Sequence, residues 1–273
     1  MTDPLDRIAA ALERLAPPPP APPDLSTYPA YVWHKGVSGG VLKPARAFAP
    51  LPLAELVGID SQKAALVENV RRLARGLPAH DVLLWGARGT GKSALSKAAV
   101  AAVQDEGDEI ALVEAQADAL DSLPALFALL ADAPRAFVLF LDDLGFDAAS
   151  DGRALRSLLE GGAEARPANT RLFVTSNRRH LIPRDIAEQS SAINPRDSID
   201  DNLALADRFG LSLGFHAIDQ DTYVAIVRTY ATDHDLPFDA ADAINWATRR
   251  GSRSGRVAWQ YIVDLAGRSG KRL

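Results

Sequence analysis

Eight consecutive residues, Gly86-Ala87-Arg88-Gly89-Thr90-Gly91-Lys92-Ser93, carry the most specific chemistry in this chain. They read G-x-x-x-x-G-K-S, follow the apolar run Val82-Leu83-Leu84-Trp85, and precede a helix-compatible stretch from Ala94 to Val100. Strand, glycine turn and helix are the setting in which this pattern cradles phosphates. Glycine lets the backbone turn successive N–H groups inward on an anion, and the helix start adds the positive end of its dipole. Lys92 can then reach the β- and γ-phosphates while the Ser93 hydroxyl binds Mg²⁺. The expected ligand is a nucleoside triphosphate.

A second chemical signal lies about fifty residues on. Phe137-Val138-Leu139-Phe140-Leu141 is wholly apolar and ends in Asp142 and Asp143. At the carboxyl end of a parallel strand, where such sheets bind ligands, the pair would stand beside the phosphate loop. Asp142 is expected to hold Mg²⁺, directly or through water, and Asp143 to act as general base on the attacking water. The next run, Arg171 to Thr175, leads into Ser176-Asn177. There Asn177 can position water or sense the γ-phosphate. Arg208 precedes the last expected strand and could project into a neighbouring subunit's site, stabilising charge on the transferring phosphoryl oxygens. Arg256 falls in the first turn of the final helix, where a positive charge opposes the dipole. An anion such as ATP would account for it, with Arg253 as the alternative contact.

These residues need a scaffold, and the pattern supplies one. Strands are expected at 81–85, 110–114, 136–141, 171–175 and 211–215, with helices at 60–75, 92–105, 117–131 and 152–160. Apolar strands alternating with helices predict a parallel sheet covered on both faces. Beyond residue 218 the strands stop, and helical spacing at 219–234, 239–250 and 254–267 predicts a small helical domain. At the other end, residues 4–16 can form a short helix. The run Pro17-Pro18-Pro19-Pro20-Ala21-Pro22-Pro23 then reads as a stiff linker. The aromatic cluster Tyr28, Tyr31 and Trp33 lies outside any clear periodic element and is expected to pack an N-terminal arm onto the core. The resulting division is an arm at 1–45, a nucleotide-binding domain at 46–217 and a helical domain at 218–273.

Composition narrows the class further. The chain has 273 residues, is 47% hydrophobic and carries a net charge of −5, which argues against global binding to a polyanion. It has no cysteine, so disulfides and thiolate metal sites are excluded, in keeping with a reducing cytoplasm. No apolar run approaches the ~20 residues of a membrane-spanning helix, and the N-terminus lacks the features of a signal peptide. A cytoplasmic protein without a membrane partner is expected.

Taken in order, Val57-Gly58, Gly86–Ser93, Asp142-Asp143, Asn177, Arg208 and Arg256 resemble an AAA+ ATPase. The resemblance implies a three-layer αβα P-loop NTPase domain with a five-stranded parallel sheet and a C-terminal helical lid. It also implies that Val57 and Gly58 line an adenine pocket, that Gly86–Ser93 is Walker A and Asp142-Asp143 Walker B. Asn177 would be sensor 1, Arg208 the arginine finger acting in trans within a homo-oligomer, and Arg256 sensor 2; ATP and Mg²⁺ are the implied cofactors. More narrowly, Ala30 to His34, Leu84 to Ser93, Leu141 to Asp143, Thr175 to Pro183, Leu205 to Gly210 and Gly251 to Arg256 resemble the bacterial ATP-binding family catalogued as domain of unknown function 815, over roughly residues 28–267. One departure from the commonest AAA+ pattern is Asp143, where Glu is usual. Its arm is one methylene shorter, which points to slow turnover.

Three uses of such a site differ in class. The first is an oligomeric ATPase that remodels or regulates a protein client. The second is a DNA-associated helicase-loader or transposon-helper-like ATPase, and the third a slow-hydrolysing ATP-dependent switch. Ala115 to Leu123 lacks the aromatic-apolar-glycine loop that grips a threaded polypeptide. A DNA-reading module after the helical domain is not expected, although Arg178, Arg179, His180 and Arg184, and Arg268 through Arg272, form basic patches able to touch phosphates. Residues 184–202 read as a long polar insert responsive to nucleotide state. A small-molecule kinase would leave the lid and the Asn177, Arg208 and Arg256 series unexplained.

Overall fold

Strand β5 (Ala136–Leu141) is buried at every residue and lies at the middle of the sheet. Six apolar residues covered on both faces are what a parallel strand between two helical layers requires. The computed structural model describes residues 3–15, 24–36, 39–144, 155–156, 158–159, 166–177 and 206–273. Within them the sheet runs β2-β1-β4-β5-β6-β3-β7. Strands β3 (Val82–Gly86), β4 (Ile110–Ala115), β6 (Thr170–Ser176) and β7 (Leu211–Phe215) run parallel with β5, and all five expected strands are present.

The sheet has seven strands, not five. The aromatic segment expected outside any periodic element is strand β1 (Ala30–Gly36), which pairs in parallel with β4 and antiparallel with β2 (Gly39–Pro44). Of the aromatic cluster, Tyr31 and Trp33 pack onto the core, while Tyr28 precedes the strand and is exposed. Tyr31 and Trp33 are buried, the Tyr31 hydroxyl donates to the Asp24 carbonyl at 2.6 Å, and the Trp33 ring N–H donates to Ser122 Oγ at 2.9 Å. Gly40 leaves room for the indole, since a Cβ there would lie 2.1 Å from the Trp33 ring. Arg135 fastens the approach to β1, its guanidinium donating to the carbonyls of Ser26 at 2.9 Å and Tyr28 at 3.1 Å, and to that of Ile110.

One face of the sheet is covered by α2 (Asp60–Ala74) and α3 (Lys92–Asp105), whose Leu66, Val70, Leu95 and Val103 pack with Val82, Leu84, Phe140 and Phe173. The other is covered by a 3₁₀ turn (Ala117–Ser122) and α4 (Leu123–Ala131), through Leu120, Leu123, Leu126 and Leu130. The single helix expected at 117–131 is therefore two pieces. Pro124 marks the break: it fits a first helical turn, where its missing N–H is not needed. Of the helix expected at 152–160, the described Leu155, Arg156, Leu158 and Leu159 are helical, and the remainder lies outside the described residues.

Three helices follow β7: α5 (Gln220–Asp233), α6 (Ala240–Arg249) and α7 (Gly255–Arg268), at the places the spacing predicts. Asp219, Asp239 and Ser254 cap their N-termini by accepting from backbone N–H groups two or three residues on, and Tyr223, Val227, Tyr261 and Ile262 form their own core. At the opposite end of the chain α1 (Pro4–Leu15) exposes Leu5, Ile8 and Leu12. None of the described helices is long and apolar enough to cross a membrane.

Candidate nucleotide-binding site

Register across β5, β6 and β3 determines which side chains meet at the carboxyl ends of these strands. Leu141 is paired with Val174, so Asp142 emerges beside Thr175; Trp85 is paired with Ser176, so the loop after Gly86 emerges beside Asn177. The turn after β3 is possible only with glycine at its pinch points. Gly86 has φ of 122°, and a Cβ on it would lie 2.0 Å from the Phe215 carbonyl oxygen, which accepts from the Ala87 N–H at 2.9 Å. Gly91, with φ of 96°, is the residue from which α3 departs.

The side chains from these three strand ends form one connected set. Lys92 is 5% exposed, and its ammonium donates to the carbonyls of Gly86 at 2.9 Å and Ala87 at 2.7 Å and to Asn177 Oδ1 at 3.1 Å. Burial pushes the Lys92 pKa below its ordinary value, an effect that the nearby Asp143 and Asp142 charges oppose. Asn177 Nδ2 donates in turn to Asp143 Oδ1. Ser93 Oγ and Thr175 Oγ1 both donate to Asp142 Oδ1, each at 2.6 Å. Arg88, largely exposed, lies 3.9 Å from Asp143 Oδ2.

A cleft of about 790 Å³ opens above this set, between the sheet and the helical lid. Its size falls within the range of small-molecule sites. Every residue from Arg88 to Ser93 lines it, together with Asp142, Asp143, Asn177, Val57, Gly58 and Arg256. Gly58 has φ of 80°, and a Cβ on it would meet the Thr222 methyl of α5 at 2.7 Å, so the glycine lets the lid close on this wall. The lid also touches the phosphate loop itself, the Gly255 N–H donating to the Gly89 carbonyl at 3.0 Å.

Two arginines stand elsewhere. Arg208 precedes β7 and is not among the residues lining the cleft, and Arg253 is also outside the lining, close enough to Asp219 to help lower that carboxyl's pKa behind its stronger hydrogen bonds with Thr222. In the C-terminal basic patch Arg268 is engaged, donating to Asp242 at 3.1 Å and pairing with Asp264 at 2.9 Å. Arg178, Arg179, His180, Arg184 and the 184–202 insert lie outside the described residues. Among the lining residues to which the sequence assigns no role in the site are Thr175, Tyr230 and Trp259. Tyr230 and Trp259 meet edge to face at 5.6 Å and wall the lid side of the cleft. Helical spacing marks both as apolar positions without distinguishing lid core from cleft wall.

Replacing Lys92 by Ala is expected to weaken ATP binding by about 100-fold, the effect of losing hydrogen bonds to a charged group worth about 3 kcal/mol. Isothermal titration calorimetry of folded variant and wild type reads this directly, and an unchanged Kd would remove Lys92 from phosphate binding.

Sheet order, phosphate loop and lid together define the AAA+ P-loop fold. Solved structures sharing it include a point variant of RuvB from Thermotoga maritima (TM-score 0.55, 20% identity, covering 83% of this chain and 68% of that one). A second is the Thermotoga maritima RuvB described as a Holliday junction branch migration motor (TM-score 0.51, 19% identity, 81% and 67%). A third is domain III of the Thermotoga maritima replication initiation protein DnaA (TM-score 0.50, 16% identity, 82% and 94%). No curated protein matches the chain. The chain belongs to the family of proteins of unknown function DUF815, whose model matches residues 26–269.

Proposed function

We infer that this protein is an ATPase that binds ATP with Mg²⁺ between sheet and lid, and hydrolyses it at subunit interfaces to remodel or regulate a macromolecular client. The observation that carries the reading is the linked set Lys92–Asn177–Asp143 beside Ser93–Asp142. It gathers a phosphate-binding cation, a polar sensor, a general base and a metal-binding pair at the mouth of one cleft. The donor chemistry fits Mg²⁺: a hydroxyl and a carboxylate oxygen, both hard oxygen ligands, with room for substrate phosphates to complete the shell. Among the described residues no group of three or more His, Cys, Asp or Glu forms a metal cage, in keeping with an ion shared with the substrate. Bound there, Mg²⁺ would neutralise charge on the β- and γ-oxygens.

The chain's own residues would divide the remaining work. The N–H groups of the Gly86–Ser93 loop and the Lys92 ammonium hold the phosphates in line. Asn177 orients the attacking water between the γ-phosphate and Asp143. Asp143 takes the water's proton as the water oxygen bonds to phosphorus, and the bond to the β-phosphate oxygen breaks to release ADP. Arg208 of a neighbouring subunit stabilises the charge on the equatorial oxygens.

One observation favours the slow switch as a second reading. The Asp143 carboxylate, already short-armed, is held by Asn177, which restrains its approach to water. Phosphate release by the wild-type protein, with and without Mg²⁺ and single-stranded DNA, separates the readings. Mg²⁺-dependent multiple turnover supports the ATPase, and tight ATP binding without multiple turnover supports the switch. Stimulation by DNA moves the client to nucleic acid. Neither binding nor turnover would sink the whole reading.

A further inference from the structure

Thr175 is buried at the carboxyl end of β6, and its hydroxyl is used in both directions. It donates to Asp142 Oδ1 at 2.6 Å and accepts from the Asp143 backbone N–H at 2.8 Å. Its carbonyl accepts from the Leu144 N–H at 3.0 Å, so one residue of β6 grips three consecutive residues of the acidic turn. That turn is otherwise unfavourable. Asp143 has φ of 51°, in the left-handed region that a non-glycine residue occupies only when its surroundings hold it there.

The geometry points to Thr175 as a positioning residue for both acids: its hydroxyl aims the Asp142 carboxylate at the Ser93 side of the cleft and pins the backbone from which Asp143 reaches toward water. A β-branched side chain has few χ1 choices in a strand, so the hydroxyl is held ready rather than recruited. The two acids are thus set by one group on the neighbouring strand, two residues before Asn177. The register that aligns β6 with β5 also aligns the sensor with the general base. Removing the hydroxyl leaves the Asp143 N–H without its acceptor and takes one of the two hydroxyl donors from Asp142 Oδ1, while Val preserves the volume.

This rests on the ATPase reading, and two measurements keep the two apart. In the full-length protein Thr175→Val should raise the Mn²⁺ concentration needed to tighten binding of a fluorescent ATP analogue by about 10–100-fold, the usual effect of losing a group that orients a metal ligand. Analogue binding without metal should be unchanged. The same variant should lower kcat by a similar factor with little change in KM, and Thr175→Ser, which keeps the hydroxyl, should recover most of both. A purely structural role would instead lower Tm and weaken metal-free binding equally in Val and Ser variants. Wild-type metal dependence in Thr175→Val, or a Ser variant as impaired as Val, overturns the assignment. If the wild-type protein hydrolyses nothing, the ATPase reading fails while the Mn²⁺ titration still decides the role of Thr175.

Discussion

Arg208→Ala should bind ATP as tightly as wild type and turn it over about 10³ to 10⁵ times more slowly, the contribution of an arginine that stabilises a transferring phosphoryl group. The reason lies in the direction of β7. Arg208 precedes the strand, whereas His216 and Ala217, which line the cleft, follow it. The five residues of Leu211–Phe215 put about 16 Å of strand between the two ends, at ~3.3 Å per residue. An arginine side chain cannot span that distance around the sheet, so any catalytic effect of Arg208 must be exerted on another subunit. Specific activity should therefore rise with protein concentration. Mixing inactive Arg208→Ala and Lys92→Ala subunits should restore part of the turnover, because one pairing reunites an intact loop with an intact finger. Normal hydrolysis by Arg208→Ala alone, or no recovery on mixing, would remove the arginine from the reaction.

The second large effect is expected at Asp143. If Asp143 is the general base, Asp143→Asn should reduce turnover by about 10² to 10⁴ while retaining ATP, because no phosphate contact would be lost. The substitution is mild for the fold. Asparagine tolerates the left-handed backbone seen at Asp143, and its side-chain oxygen can still accept from Asn177. The long pair with exposed Arg88 contributes little to stability. Rapid-quench assays beside equilibrium ATP binding separate the two quantities. Wild-type turnover would exclude Asp143 as the base, and loss of binding would mean that it holds the nucleotide instead.

Much of this site was legible because its signals are local. A phosphate loop is eight contiguous residues, and each of β3 through β7 carries a short apolar run or an apolar alternation, so these strands stand out from residue types alone. The hairpin did not. Strand β2 contains Gly39, Gly40, Lys43 and Pro44, poor strand formers that become a strand by pairing with β1 at the sheet edge. Thr175 escaped for a different reason. Its importance comes from the alignment of β5 with β6, a register set in three dimensions, and nothing in Val174-Thr175-Ser176 distinguishes it from any polar strand end. Arg268 shows the converse: a basic patch in sequence, it is paired with Asp242 on a different helix.

The central claim is that the cleft between the phosphate loop and the lid binds and cleaves ATP. A single-turnover experiment tests it most directly, with protein in excess over γ-labelled ATP so that one pass through the site is seen however slow release is. The expected result is stoichiometric conversion to ADP and phosphate by the wild-type protein, dependent on Mg²⁺ and lost in Lys92→Ala. Recovery of intact ATP, or equal conversion by Lys92→Ala, would contradict it.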